Sequence, residues 1–295
     1  MTKVISSKTV IVTGANSGIG LATATHLAIV GATVILAVRD MEKGKQAALE
    51  IGKATDAAKL HVQKLDLADL KNVQQSANEI LSRFPEINLL INNAGLHDLT
   101  GGVTADGFNL VFGTNYLGPF LFTSLLTERL LETAARHGQA RIVNLASMAH
   151  AVAWGFSPED PIPMPSTKLQ HDPYPLSKLC NILHANELAR RFGEQGLIAH
   201  SVHPGFVRTN ILRKEHWPGK WQLLNWPTKP WQISPEKGAK PVLHAALSEE
   251  AGALNGRYWV PKGLKKAKLP DDEPAAAKRL WERSVEVTSD CLKGT

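Results

Sequence analysis

Tyr174 and Lys178 stand four residues apart in Tyr174-Pro175-Leu176-Ser177-Lys178, so on a helix both side chains leave one face. A free phenol titrates near 10, and only about a thousandth of it is ionised at neutral pH. A neighbouring ammonium favours the phenolate. Lowering the phenol by about three pKa units takes roughly 4 kcal/mol of differential interaction, attainable in a partly dry site. Such a phenol can give a proton to a carbonyl oxygen and take one back from an alcohol. Taken alone, the pair also fits a capping aromatic beside a solvated lysine. Pro175 belongs only in a helix's first turn, so Tyr174 is expected at or just before the helix start.

A second group suits a phosphate-bearing ligand. Thr13-Gly14-Ala15-Asn16-Ser17-Gly18-Ile19-Gly20 lies between an apolar strand and a helical stretch. Gly14 permits a tight turn, Gly18 lets backbone approach a pyrophosphate, and Gly20 lets helix pack on sheet. The N–H groups of the turn and of the helix start then face the phosphates. A chance turn is the alternative, but the flanking strand and helix are both present.

These groups need a scaffold, and the chain alternates strand-like and helix-like stretches. Strands are expected at Thr9 to Val12, Thr33 to Val38, His61 to Leu65, Asn88 to Ile91, Arg141 to Leu145 and Leu197 to His203. Helices are expected at Leu21 to Val30, Met41 to Lys53, Asp69 to Phe84, a long apolar stretch before Arg141, and Tyr174 to Phe192. The pattern predicts an α/β fold: a single doubly wound Rossmann domain over 1–295, with a central parallel sheet of about seven strands flanked by helices on both faces. Such sheets bind ligands at the carboxyl ends of their strands. Residues 149–173, with prolines at 158, 161, 163, 165 and 173, and 211–233, with tryptophans at 217, 221, 226 and 231, break the alternation and are expected as substrate-site loops.

The 295 residues, 43% hydrophobic and 20% charged, are those of an ordinary globular protein. Cys180 and Cys291 are too few for a disulfide framework and lack metal-ligand spacing, so no metal is expected. Neither a signal peptide nor a bilayer-spanning apolar run is read in the sequence, and a soluble cytoplasmic protein is the expectation. The net charge of +6 suits an anionic ligand or a solvated basic surface, and no nucleic-acid motif accompanies it.

The spacing G-x-x-x-G-x-G, with the motifs that follow it, resembles the short-chain dehydrogenase/reductase family from about Ser7 to Val260. Asp66 in Lys64-Leu65-Asp66-Leu67, Asn92-Asn93-Ala94-Gly95, Asn115, Ser147, Tyr174 with Lys178, and Pro204-Gly205 occur in the family's order. The resemblance implies a nicotinamide cofactor held by Gly14, Asn16, Ser17, Gly18, Ile19 and Gly20 in the turn. It adds Asp66 against adenine, Leu67, Asn93, Ala94, Gly95, Tyr174, Lys178, Pro204, Gly205, Val207 and Thr209, the last at the carboxamide. It also implies that Ser147 holds the reacting oxygen, that Lys178 holds the nicotinamide ribose, and that Asn115 holds a water leading from Lys178 to solvent. The separation of Ser147 from Tyr174 is longer than in compact members. Assembly as a homodimer or homotetramer, through the helices containing Asn115 and Tyr174, is implied as well.

Cofactor choice is read at the end of the second strand, where Val38 replaces the acid that suits NAD and Arg39 follows. A guanidinium there can pair with a 2′-phosphate, predicting NADP(H), with Ser17 adding a hydroxyl contact. A helix-start pair of Arg39 with Asp40 or Glu42 is the alternative.

Within the family the chain looks most like the retinol dehydrogenase-like branch, through Val34 to Asp40, Ser147 to His150 and Ala239 onward to Tyr258. That implies a hydrophobic carbonyl or alcohol substrate, and a broader carbonyl reductase fits equally. The tryptophan-rich stretch is read as a lid, as a peripheral membrane contact or as plain packing. His150 is read as a satisfied loop histidine or a substrate contact. His200 and His203, expected on opposite faces, make no metal site. An NADP-binding regulator or scaffold with little turnover is the alternative function. A nucleotide-sugar epimerase is a more distant rival with a different glycine spacing and a larger C-terminal domain.

Overall fold

Runs such as Val10-Ile11-Val12 and Val34-Ile35-Leu36-Ala37-Val38 are buried at every residue, because the sheet they form is covered on both sides. The computed structural model describes residues 5–6, 8–98, 100–153, 157, 162, 172–208 and 232–292. Its strands are β1 (Thr9–Thr13), β2 (Thr33–Val38), β3 (Leu60–Lys64), β4 (Leu89–Asn92), β5 (Ala140–Leu145), β6 (Leu197–Val202), β7 (Arg257–Val260) and β8 (Gly263–Leu264). They form one sheet in the order β3-β2-β1-β4-β5-β6-β7-β8, parallel up to β7. Beyond the seven expected strands, two-residue β8 folds back antiparallel on β7 and pairs Val260 with Gly263, whose φ of +110° suits glycine.

The strand order reverses between β1 and β4, which opens a crevice at their carboxyl ends. Alternate residues of β1 feed different cores. Val10 and Val12 pack with Val34, Leu36, Leu27 and Val242, and Ile11 packs with Ile35, Val73 and Phe120. The first core includes side chains of α1 (Gly18–Ile29), α2 (Met41–Gly52) and α7 (Pro235–Leu247), and the second those of α3 (Leu70–Arg83), α5 (Gly118–His137), α6 (Pro173–Phe192) and α9 (Glu273–Leu292). The short α8 (Glu249–Gly252) follows α7.

The long apolar helix expected around Asn115 is not continuous. It comprises α4 (Leu110–Phe112), a π turn (Gly113–Leu117) and α5. A Cβ on Gly118 would lie 2.3 Å from the Leu67 carbonyl oxygen, so close backbone packing fixes the register there. The wider turn carries Asn115 and Tyr116 inward, a usual setting for a π bulge.

The last helix, α9, lies along α5 and α6. The Tyr116 hydroxyl and Ser284 Oγ are 2.8 Å apart, the Trp281 ring meets Phe120 and His184, and the Arg191 guanidinium lies 4.6 Å over Trp281. No described helix is long and apolar enough to cross a membrane, and no metal-holding cluster of His, Cys, Asp or Glu occurs among the described residues.

Candidate active site

The crevice begins at the glycine turn. Gly14 has φ +65° and Gly18 has φ +55°, both in the region side chains rarely adopt. A Cβ on Gly20 would fall 2.3 Å from the Gly14 carbonyl oxygen and 2.4 Å from Asn93 Nδ2, so the turn closes only around glycine. Helix α1 starts at Gly18, earlier than expected, directly off the turn. Ser17 precedes it in extended conformation and its side chain makes no capping bond. The first-turn N–H groups of a helix have no partner within it, and here their usual side-chain cap is missing.

Asn93 serves the turn more than the crevice. Its Nδ2 donates to the Thr13 carbonyl at 2.7 Å, while the Thr13 hydroxyl accepts from the N–H groups of Asn93 and Ala94 at 3.0 and 2.9 Å. Thr13, which the sequence reading passed over, thus ties the ends of β1 and β4 together.

The resulting cleft, of about 300 Å³, is lined by the turn at Gly14, Asn16, Ser17, Gly18 and Ile19. Arg39, Asp66 and Leu67 line it beyond the ends of β2 and β3, and Ala94 and Gly95 beyond β4. Tyr174, Lys178 and Pro204 complete the lining. Asp40 pairs with Lys43 and Glu42 with Lys45, so neither acid takes the Arg39 guanidinium, which is exposed. Thr114, also in the wall, has a buried hydroxyl with no partner. Gly205, with φ +95°, packs toward Ile233 and Pro261, and Val207 bridges to Ile233; neither lines the cleft. Thr209, the tryptophans at 217, 221, 226 and 231, and most of 154–171 lie outside the described residues.

This set of donors fits a dinucleotide. The glycine cradle has no room for a Cβ at Gly20, the helix start lacks its side-chain cap, and an exposed cation lies at the rim.

Tyr174 and Lys178 line the end of the cleft, and Ser147 faces the Tyr174 phenol beside it. Tyr174 is the second residue of α6, one place deeper than expected. Asp172 caps the helix by accepting from the Tyr174 N–H at 2.9 Å. Pro173 and Pro175 then occupy first-turn positions whose N–H groups would have no helical partner anyway. The Ser147 side chain faces the Tyr174 phenol and favours its ionisation, and Lys178 Nζ lies 5.5 Å from the phenol ring centroid. Lys178 Nζ also donates to the Leu145 carbonyl at 3.0 Å.

Asn115 is bound to the peptide of Leu96, accepting its N–H at 2.8 Å and donating to its carbonyl at 2.9 Å, and donates to Ser177 Oγ at 3.2 Å. It comes near Lys178 across Gly95, where a Cβ would lie 3.2 Å from Asn115 Oδ1 and 3.4 Å from Lys178 Nζ.

Burial governs the titration of this group. It pushes the Tyr174 phenol up to about 12, against the Ser147 hydrogen bond, which lowers it, and with the Asp172 charge, which raises it further. Burial also brings Lys178 down to about 8. The same dry surroundings oppose the charged forms of both groups.

Two histidines border this group. The His97 ring lies on the Tyr174 ring, centroids 4.8 Å apart and tilted 30°, and its Nε2 is 2.8 Å from Asp172 Oδ2. His150 proves a satisfied loop histidine. Its Nδ1 is 2.6 Å from the Ser147 carbonyl oxygen, and its Nε2 is 3.1 Å from the Lys268 N–H, which donates to it. No spacing rule marks His97, 77 positions before Tyr174, as its neighbour.

Comparison with known proteins agrees with this geometry. Residues 8–159 match the short chain dehydrogenase family. Retinol dehydrogenase 12 of Mus musculus is 38% identical over 291 residues, covering 96% of this chain and 87% of that protein. Retinol dehydrogenase 13 of Homo sapiens is 37% identical over 295 residues, covering 95% and 84%. A crystal structure of a protein from Mycobacterium paratuberculosis superposes with a TM-score of 0.71 at 31% identity, covering 98% of this chain and 97% of that one. The glycine turn, the reversal of strand order and these similarities together identify the chain as an oxidoreductase of the short-chain dehydrogenase/reductase family, similar to retinol dehydrogenases.

Proposed function

We propose that the protein is an NADP(H)-dependent oxidoreductase that interconverts a carbonyl and an alcohol on a hydrophobic small molecule, with Tyr174 as general acid and base. The observation that carries this reading is the grouping of Tyr174 and Lys178 at one end of the cleft that the glycine turn opens, with Ser147 facing the phenol. A bound nicotinamide would supply or accept the hydride. Ser147 holds the reacting oxygen, and the Tyr174 phenol gives that oxygen its proton in reduction and recovers one in oxidation. Lys178 supports the phenolate, together with the positive charge of the oxidised cofactor, against the burial that opposes it. Arg39, with no acid at Val38, selects the 2′-phosphate of NADP.

Similarity to retinol dehydrogenases makes retinoids one candidate substrate, beside other long aldehydes and ketones. Reduction is the proposed direction, and a cytoplasmic setting goes with it, supported by two free cysteines. The test is NADPH oxidation across medium- and long-chain aldehydes, ketosteroids and retinal, run beside Tyr174→Phe. Turnover in the wild type and its loss in Tyr174→Phe is the expected result. Tight NADPH binding without turnover on any of them would favour a regulatory role instead.

A further inference from the structure

Tyr174 stands where the chain gives it little local support. It is the second residue of its helix, between two prolines that donate no N–H. Whatever fixes the phenol's direction must act at its peptide group, at its ring or at its hydroxyl. Ser147 reaches only the hydroxyl. The peptide N–H is held by Asp172 Oδ1, and the other oxygen of that carboxylate, Oδ2, is held by His97 Nε2 at 2.8 Å. The same imidazole then lies against the phenol ring at 4.8 Å. One carboxylate and one imidazole thus grip the tyrosine at two points, at its backbone and on its ring.

We propose that His97 and Asp172 are positioning residues for Tyr174, a pair that fixes the phenol's direction and sets how readily it parts with its proton. The proposal rests on the reading of Tyr174 as the proton donor. The titratable groups placed against the phenol among the described residues are Asp172 at the start of α6, Lys178 on α6 and His97 in the segment after β4; Ser147, after β5, faces it with a neutral hydroxyl. The Asp172 charge works against phenolate. By engaging that carboxylate, His97 draws its charge away from the phenol. Burial raises the Asp172 carboxyl, but the His97 bond and the Tyr174 N–H hold it below its ordinary value, so it is ionised and able to do both jobs. The side chain of His97 is 17% exposed and that of Asp172 36%, so water screens the carboxylate more than the imidazole.

Three variants separate the two grips, with Tyr174→Phe as reference. His97→Phe keeps an aromatic ring on the phenol and loses the bond to Asp172. His97→Gln keeps a donor for Asp172 and loses the ring. Asp172→Asn keeps an acceptor for the Tyr174 N–H and removes the charge. In His97→Phe, kcat for aldehyde reduction should fall roughly tenfold to a hundredfold, the scale of a misplaced reacting group. The KM and Kd for NADPH should stay within about twofold, since no cofactor contact changes. His97→Gln should recover part of the loss, and Asp172→Asn should change the shape of the pH profile of kcat.

A second readout does not depend on turnover. The chain has three tyrosines, so tyrosinate absorbance in the NADP⁺-saturated protein, minus that of Tyr174→Phe, isolates this phenol. Its ionisation should move upward in His97→Phe. A kcat within twofold of wild type and an unmoved phenol titration in His97→Phe would overturn the proposal. If Tyr174→Phe itself turned over like the wild type, the proposed function would fall instead, and the two failures are told apart by that one reference.

Discussion

Lys178 Nζ donates to the Leu145 carbonyl oxygen at 3.0 Å, and Asn181 Nδ2 donates to the same oxygen at 3.0 Å. The ammonium is anchored to the end of β5, the strand that leads into Ser147, and a neighbour can satisfy that carbonyl without it.

Lys178→Met is therefore expected to separate stability from activity. Lys178 falls to about 8 in the folded protein from an ordinary 10.5, so burying its charge opposes folding at neutral pH. That cost is constant below about 8 and is relieved as pH rises from about 8 toward 10.5, where the unfolded chain holds the proton longer. Methionine removes the charge, and Asn181 still serves Leu145. Denaturant unfolding at pH 7 should show a gain on the order of 2 kcal/mol, while kcat/KM drops at least about a hundredfold. A variant less stable than wild type would refute the first half.

Gly20→Ala tests the cradle. Its methyl would meet the Gly14 carbonyl oxygen at 2.3 Å, and the backbone on both sides would have to part. Overpacking of this kind costs roughly 1–3 kcal/mol. A lower Tm and NADPH binding at least about tenfold weaker by fluorescence titration are expected, because displaced N–H groups no longer converge on phosphate. Wild-type affinity in the variant would show that the cradle has slack.

For Arg39, the decisive quantity is a ratio. Arg39→Ala should raise KM for NADPH far more than for NADH, since only the former carries the phosphate a guanidinium would bind. The change should exceed roughly tenfold, the value of about 1.4 kcal/mol from one lost charge-assisted contact. Equal changes for both cofactors would reject the role.

Three buried histidines predict acid sensitivity. Burial lowers His184 to about 3, and it lowers His200 and His203 to about 4, from an ordinary 6.5. Above 6.5 all three are neutral in both states and cost nothing. As pH falls from 6.5 toward 4, the unfolded chain takes up protons that the folded one refuses, and stability drops. Urea midpoints between pH 7 and pH 4 should reveal a loss of several kcal/mol. A flat profile would mean that water reaches these rings.

The sequence exposed most of the scaffold because strands such as β1 and β2 are nearly unbroken apolar runs and the turn glycines serve single geometric purposes. Thr33–Val38 and the Gly14-to-Gly20 turn could hardly be read otherwise. Features that rest on contacts between distant residues stayed hidden. Two-residue β8 is too short to show alternation. The π turn at Gly113–Leu117 comes from backbone meeting backbone at Gly118 and Leu67, which no periodicity records. His97 reaches Tyr174 only because the ends of β4 and β5 bring their loops together. The direction in which burial moves the phenol could not be read from spacing, since it depends on how much water the fold removes.

Helix α9 bears on how many molecules act together. The resemblance implies assembly through the helices carrying Asn115 and Tyr174, yet Trp281 and Ser284 already occupy the flanks of α5 and α6 within the same chain. The faces that the resemblance implies for assembly are thus partly covered by the chain's own last helix. Solitary particles near 32.1 kDa in sedimentation velocity, and hyperbolic saturation with no crosstalk between sites, are the expected consequence. Each molecule would then carry out its chemistry alone.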